Sequence, residues 1–228
     1  SSGSVAGFSA MFSAWLVSSL PVASGLELNP ILGILIGLVF GAFVGLVNGI
    51  LITKLKFIDF IETLGMLMAL RGLTAWLVQQ QQIYDLPSQY LFLGDFEIFG
   101  IIPIQLVIFF GLGIIFFVVL NHTRFGAQVL FTGNNELAAR SLGFDVDNLR
   151  IKCYIISGIT AALAGIILAG QLGSVGEAHA DGMIVQAFAA AIIGGTALSG
   201  GIGNIPGVMA GAFLFPVIRS GLILGGVG

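Results

Sequence analysis

Residues 30–53 read PILGILIGLVFGAFVGLVNGILIT, 24 consecutive positions without a charged side chain. The hydrocarbon core of a bilayer is about 30 Å thick and is crossed by about 20 apolar residues in a helix. A helix over this stretch is therefore long enough to span a membrane. Its glycines recur at every fourth residue, at positions 37, 41, 45 and 49, and form one smooth face that lets another helix approach closely. We favour a packing role for this face over a role as a sliding surface.

Six further segments of the chain are apolar enough to lie in a membrane. They cover 5–24, 58–78, 101–120, 151–172, 183–199 and 205–225. No segment shows the sustained polar–apolar alternation of a transmembrane barrel, so the predicted fold is an all-α polytopic transmembrane helical bundle. The segment 183–199 is short and runs into a glycine-rich stretch, which fits either a tilted span or a re-entrant segment.

The composition excludes several classes of protein. Apolar residues make up 57% of the chain and charged residues only 8%, whereas a soluble domain carries roughly 25% charged residues. A soluble enzyme is therefore a poor interpretation. The net charge of −3 favours no polyanionic partner such as a nucleic acid, and the single cysteine, Cys153, excludes an internal disulfide.

The charges predict which loops face the cytoplasm, because Lys and Arg collect on that side. Six of the eight basic residues follow the second segment or lie in or beside 121–150: Lys54, Lys56, Arg124, Arg140, Arg150 and Lys152. The loops 21–29, 79–100 and 173–182 hold acidic residues and no basic ones: Glu27, Asp85, Asp95, Glu97, Glu177 and Asp181. We therefore expect a multi-pass protein whose loop 121–150 is cytoplasmic, with 200–204 on the same side.

A few polar residues fall within the apolar segments. Asn48 could line a path through the membrane or join two helices, and the second role is favoured. Arg71 lies deep enough for a pathway role, although snorkelling or pairing is the simpler explanation. Together with Ser199 these two residues are the candidates for a translocation path. Asp59 and Glu62 fit an interfacial position at the start of a helix.

The 30-residue connection 121–150 contains a predicted short helix outside the membrane. Asn134 or Asn135 is a suitable N-cap, and Glu136 and Arg140 form an i,i+4 pair in the favourable order. Gly143 is a suitable terminator. A helix of this length is marginal alone, so it needs a surface, either the protein's own cytoplasmic ends or a groove in a partner subunit.

The sequence contains little that could support catalysis. Glu177, His179 and Asp181 alternate in one loop, but this is a weak metal signal and no metal site is expected. The chain has no Gly-x-x-x-x-Gly-Lys-Ser/Thr phosphate loop. We therefore expect no enzyme, and any uphill transport would take its energy from an ion gradient or from another polypeptide.

Several motifs resemble those of the permease subunits of bacterial ABC importers for monosaccharides, the ribose/xylose/arabinose group. They occur in the expected order along the whole chain. They are Ser1–Val5, Gly45-Leu-Val-Asn-Gly49, Phe60-Ile-Glu-Thr-Leu-Gly-Met66, Leu70-Arg-Gly72, Gly133-Asn-Asn-Glu-Leu-Ala-Ala-Arg140 with Gly143, and Ile193-Gly-Gly-Thr-Ala-Leu-Ser-Gly-Gly-Ile-Gly203.

This resemblance implies a homodimer or paired permease in the bacterial inner membrane that moves a pentose or hexose by alternating access. A separate ATPase subunit would bind the ATP, so the chain itself would need no cofactor, and a periplasmic sugar-binding protein would dock on the other side. The residues that it implies for ATPase coupling are Gly133, Asn134, Asn135, Glu136, Ala138, Ala139, Arg140 and Gly143. Family members usually have further helices at both ends, so we expect 1–228 to be a single permease domain truncated at both ends.

Three alternatives stay open at this point. A branched-chain amino-acid ABC permease has distantly similar sequences. A gradient-driven carrier or channel would transport without an ATPase. A membrane scaffold could show the same glycine-rich packing, although it would not explain the short loop helix.

Overall fold

The structure is a computed structural model. It describes residues 2–18, 28–78, 81–84, 86–98, 100–176, 179–180, 182–197 and 200–226.

The described chain is almost entirely helical, as predicted. The helices are α1 (Ser2–Val17), α2 (Pro30–Thr53), α3 (Asp59–Val78), α4 (Ser88–Asp95), α5 (Ile104–His122), α6 (Arg124–Asn134), α7 (Glu136–Ser141), α8 (Val146–Leu172), α9 (Met183–Ile193) and α10 (Ile205–Leu224). The two-residue strands are β1 (Ile83–Tyr84), β2 (Glu97–Ile98), β3 (Ile102–Pro103) and β4 (Ser174–Val175). They form two antiparallel pairs, β1 with β4 and β2 with β3.

Five of these helices are long and apolar enough to cross a membrane, among the residues described: α2, α3, α5, α8 and α10. The bounds of α2 match the predicted segment, but others differ. The segment predicted at 101–120 begins with β3 and becomes helical only at Ile104, and the segment predicted at 151–172 starts earlier, at Val146. In the first predicted segment, 5–24, the helix covers Ser2–Val17, and positions 19–24 lie outside the described residues.

The chain forms two compact units. The first comprises Ser1–Val107 with Arg150–Asp181, and the second comprises Ile108–Leu149 with Gly182–Gly228.

The core of the first unit is built by α1, α4, α8 and the β1–β4 pair. Buried side chains from all of them form one cluster, including Met11, Ile83, Tyr90, Ile166 and Val175. Burial raises the pKa of Tyr90, whose hydroxyl donates to the carbonyl oxygen of Ala10 at 3.5 Å. The β1–β4 pair joins the two loops 79–100 and 173–182, which the charge pattern assigned to one side of the membrane.

The glycine face of α2 packs directly on the backbone of α8. A Cβ at Gly45 would overlap the carbonyl oxygen of Tyr154, and a Cβ at Gly49 would lie 2.9 Å from the Cα of Ile151. Gly41 makes the same kind of contact with Gly158. Without a hydrophobic driving force in lipid, such close approach is what holds helices together, so the predicted packing role of the stripe is confirmed.

In the second unit, α9 and α10 form a tight helical hairpin. A Cβ at Gly194 would overlap Val208, and one at Gly211 would overlap the carbonyl oxygen of Ala190. Pro206 lies in the first turn of α10, after the N-cap Asn204. Within the predicted segment 183–199 the helix ends at Ile193, and the chain turns at the glycines that follow it, while positions 198–199 lie outside the described residues. An 11-residue helix is about 16 Å long, which is roughly half of a bilayer core.

Replacing Gly45 with Ala is expected to destabilise the protein, because the added methyl group forces α2 away from the Tyr154 carbonyl. Overpacking of this kind typically costs about 1–3 kcal/mol. Gly65→Ala is the matched control, since a Cβ there meets no atom within 4 Å and Ala favours a helix by up to about 1 kcal/mol.

Thermal unfolding of the purified variants in detergent should show a lower midpoint for Gly45→Ala than for the wild type. For Gly65→Ala it should show an equal or higher midpoint. Equal midpoints for the two variants would contradict the backbone contact.

Candidate functional site

The predicted loop helix is present as α7. The Asn135 side chain accepts a hydrogen bond from the backbone N–H of Ala138 at 2.9 Å, which caps the start of the helix. At the other end Gly143 has φ +82, and its N–H donates to the carbonyl oxygen of Arg140 at 3.0 Å. The helix therefore starts and stops by local signals, and of the two predicted N-caps it uses Asn135, because Asn134 is the last residue of α6.

Arg140 holds α7 against the start of α8. Its guanidinium lies 3.0 Å from a carboxylate oxygen of Glu136, as the i,i+4 spacing predicts, and 2.6 Å from one of Asp147 in the first turn of α8. The hydrogen bond to Asp147, and then that to Glu136, raises the pKa of Arg140. The second contact was missed by sequence reasoning because a turn separates the two residues.

One side of α7 is anchored and the other is presented to the outside. Ala139 is fully buried, and the nearby rings of Phe131 and Phe144 meet edge to face with centroids 5.8 Å apart. Leu137 is 78% exposed and Leu142 is 64% exposed. Two exposed leucines beside a charged cluster are suited to docking another protein, and sequence reasoning did not single them out.

The helix that precedes α7 was not predicted. α6 is capped by Thr123, whose hydroxyl accepts from the N–H of Gly126 at 3.2 Å. Gly126 also lies so close to the last turn of α5 that a Cβ would overlap the carbonyl oxygen of Leu120. The bend between α5 and α6 is thus fixed by a cap and a glycine.

The structure brings two of the sequence motifs together within the second unit. Gly133, in the last turn of α6, lies against the backbone of Gly200 and Gly201 in the loop between α9 and α10. The Asn134 side chain donates to the carbonyl oxygen of Gly201 at 3.4 Å. The loops 121–150 and 200–204, which the charges assigned to one side, therefore meet.

Of the candidate path residues, Asn48 and Arg71 are described, and they do not line the same cavity. Asn48 is only 2% exposed and lies in α2, one turn after Val44 of a buried cluster. Arg71 is exposed on α3 and lines a solvent-open cleft of about 250 Å³ together with Ser4, Thr74 and neighbours, and Asn48 does not line it. Ser199 lies outside the described residues.

Glu62 is less accessible than its predicted interfacial position suggests. It lies in the first turn of α3 and is 8% exposed, whereas Asp59 in the same turn is exposed. Within the described part of the chain, neither carboxylate oxygen has a hydrogen-bond partner. Glu62 lies on the α3 face that also carries the buried residues Leu70 and Thr74. It is buried because this face of α3 is turned inward.

The alternating acidic and histidine residues at 177–181 cannot be assessed as a set, because Glu177 and Asp181 lie outside the described residues. His179 is described, and its Nε2 lies 3.1 Å from the carbonyl oxygen of Gly165, so the neutral ring donates from Nε2. Across the described ranges, no three His, Cys, Asp or Glu side chains are placed to hold a metal ion.

Comparisons with known proteins converge on one family. Residues 1–227 match a family model described as branched-chain amino acid transport system / permease component. Three similar proteins are autoinducer 2 import system permease proteins LsrC. The chain is 36% identical to that of Yersinia enterocolitica over 169 residues (74% of this chain, 46% of the relative), 36% to that of Yersinia pseudotuberculosis over 171 (73% and 48%), and 36% to that of Yersinia pestis over 170 (74% and 47%). The chain thus spans about half the length of these curated relatives. No solved structure matches it significantly.

The burial of His179 predicts a pH dependence of stability. Burial lowers the pKa of His179 from its ordinary value of 6.5, against the smaller opposite effect of its hydrogen bond to Gly165. Below about pH 6.5 the unfolded chain binds a proton that the folded chain does not. The folded state should therefore lose stability as the pH falls from 7.5 to 5.5, by up to about 1.4 kcal/mol for each pH unit below 6.5.

Thermal unfolding in detergent at both pH values checks this expectation. His179→Gln should reduce the loss of stability, and the same substitution at exposed His122 is the control. A pH dependence that is unchanged in His179→Gln would refute the assignment.

Proposed function

This chain belongs to the family described as branched-chain amino acid transport system / permease component, and on that premise we propose that it is the membrane-spanning subunit of an ATP-driven importer. Its five long apolar helices provide the membrane-embedded part. Its sequence carries no phosphate-binding loop of the P-loop type, so the ATP is bound by a separate ATPase subunit.

The observation that carries this proposal is the exposed leucine pair of α7, Leu137 within the helix and Leu142 at its C-cap. Leu137 and Leu142 point outward, whereas Arg140 and Ala139 tie the same helix to the rest of the chain. A helix anchored in this way can transmit a force without separating from the residues that hold it. An apolar pair with charges around it is suited to a groove in another protein, and the occupant we propose is the ATPase subunit.

The charge pattern supports a cytoplasmic position for this docking element. Arg124 and Arg140 lie in the loop 121–150, and the loops 79–100 and 173–182, joined by the β1–β4 pair, carry acidic residues and no basic ones. By the distribution of Lys and Arg, the α6–α7 loop faces the cytoplasm of a bacterial inner-membrane protein. The opposite loops would then receive a periplasmic binding protein, and a second permease chain would complete the pathway.

The proposed substrate is a monosaccharide. It is supported by the six motifs that occur in order along the chain and resemble those of pentose and hexose permeases. The family description names branched-chain amino acids, and the printed names of the relatives name autoinducer 2, so these are the competing substrates. Asn48, Arg71 and Ser199 are the candidates for the path. Uptake assays that compare D-ribose, L-leucine and autoinducer 2 distinguish the three classes.

Replacing both exposed leucines of α7 with Ser should weaken binding of the ATPase subunit. The double variant Leu137→Ser/Leu142→Ser removes apolar surface from the docking element without touching the anchoring contacts of Arg140. Loss of about 2 kcal/mol, which is within the range for two interface leucines, lowers the affinity roughly 30-fold. The measurement is copurification of the ATPase subunit from membranes that contain equal amounts of each variant.

Ile101→Ser is the matched control, because Ile101 is 80% exposed but directly follows the loop 79–100, which is assigned to the other side. It should copurify with the ATPase as the wild type does. Normal copurification of the double leucine variant would rule out α7 as the docking element.

A further inference from the structure

The end of α6 and the loop between α9 and α10 meet backbone to backbone at three glycines, Gly133, Gly200 and Gly201. A Cβ at Gly133 would overlap the N–H of Gly201 and come within 3.3 Å of the carbonyl carbon of Gly200. Gly200 and Gly201 have φ values of +92 and +79, a conformation that other residues rarely adopt. Glycine is therefore required on both sides of this contact, and the two backbones lie too close for another side chain at these three positions.

Asn134 adds a hydrogen bond across the same contact. Its amide nitrogen donates to the carbonyl oxygen of Leu130 at 3.1 Å, within its own helix, and to that of Gly201 at 3.4 Å. Asn134 is also the residue before Asn135, the N-cap of α7. A displacement of α7 thus reaches Asn134 through one peptide bond and reaches the α9–α10 loop through Asn134.

The hairpin that receives this contact is held together along its length. Gly194 and Gly207 meet backbone to backbone, and Gly211 meets the carbonyl oxygen of Ala190 one turn further along. Asn204 caps α10 by accepting from the N–H of Gly207 at 3.3 Å. Because the two helices are in such close contact, a movement of the loop shifts both of them rather than opening a gap between them.

We propose that Asn134 is a positioning residue that passes the movement of α7 to the α9–α10 hairpin. This inference rests on the proposed function, because it takes the movement of α7 to come from the ATPase subunit. It assigns a role in transport to α9, the half-length helix that cannot span the bilayer alone. ATP binding in the partner would move α9 through the clamp formed by Gly133, Asn134, Gly200 and Gly201.

The test uses the chain in complex with its ATPase subunit, reconstituted in lipid nanodiscs. Asn134→Ala removes the amide, and Asn134→Asp is a second variant of nearly the same shape that replaces the N–H donors with a charged carboxylate oxygen, which cannot donate to the Gly201 carbonyl. Asn121→Ala is the matched control, because the Asn121 side chain donates to the carbonyl oxygen of Phe117 in its own helix. Three readouts are compared, namely copurification of the ATPase, ATP hydrolysis, and the movement of α9.

Movement of α9 is measured by pulsed electron paramagnetic resonance between spin labels. The labels replace the exposed residues Val185 on α9 and Trp76 on α3, with Cys153→Ser as background. In the parent complex and in Asn121→Ala, adding ATP with vanadate should shift the distance by about 2 Å or more, the size of helix shifts in switching proteins. In both Asn134 variants the shift should disappear, while copurification and hydrolysis stay within twofold of the parent.

Two results would overturn the inference. One is a full shift in both Asn134 variants, and the other is loss of ATPase copurification in these variants, which would mean that Asn134 acts only on the docking of α7. Gly201→Ala combined with Asn134→Ala should be no more defective in the shift than the worse single variant, since both act at one contact. Failure of the parent chain to bind any ATPase would instead refute the proposed function.

Discussion

Contact between backbones, made possible by glycine, is the interaction on which this structure depends. In a bilayer, helices gain little from hiding apolar side chains from each other, so they associate by close packing. Here α2 meets α8 at Gly45 and Gly49, and α9 meets α10 at Gly194 and Gly211. The same device appears outside the long helices, where Gly133 meets the α9–α10 loop. Contacts of this kind leave no free space between the helices. Helices joined by them are therefore expected to move together as rigid bodies.

Joint movement of helices in backbone contact explains the role that we propose for the α6–α7 loop. A short helix such as α7 would be marginal alone, but the Asn135 cap, Gly143 and the ion pairs of Arg140 with α8 make it a stable projection. Its exposed leucines provide the surface on which the ATPase subunit would act. The clamp at Asn134 would transmit the resulting movement to the α9–α10 hairpin. In the proposed importer, the ATPase subunit therefore supplies the energy of ATP, and this chain undergoes the conformational change.

Local features were predictable from the sequence, and contacts between distant residues were not. The bounds of α2 and the Glu136–Arg140 pair follow from apolar length, caps and i,i+4 spacing. The early start of α8 was missed because its first turns carry charged residues such as Asp147, which lower the apolar signal without disfavouring a helix. The burial of Glu62 and the contact of Gly133 with the α9–α10 loop depend on how helix faces meet, and one sequence contains no record of that.

The central claim is that this chain does not power transport itself but is driven through α7 by an ATPase subunit. The most direct measurement is accumulation of a labelled substrate from a panel of monosaccharides, L-leucine and autoinducer 2 into proteoliposomes. The vesicles contain the permease and the binding protein, with or without the ATPase subunit and ATP. The account predicts accumulation of one panel member only when both the ATPase subunit and ATP are present. Equal accumulation without the ATPase subunit would contradict it.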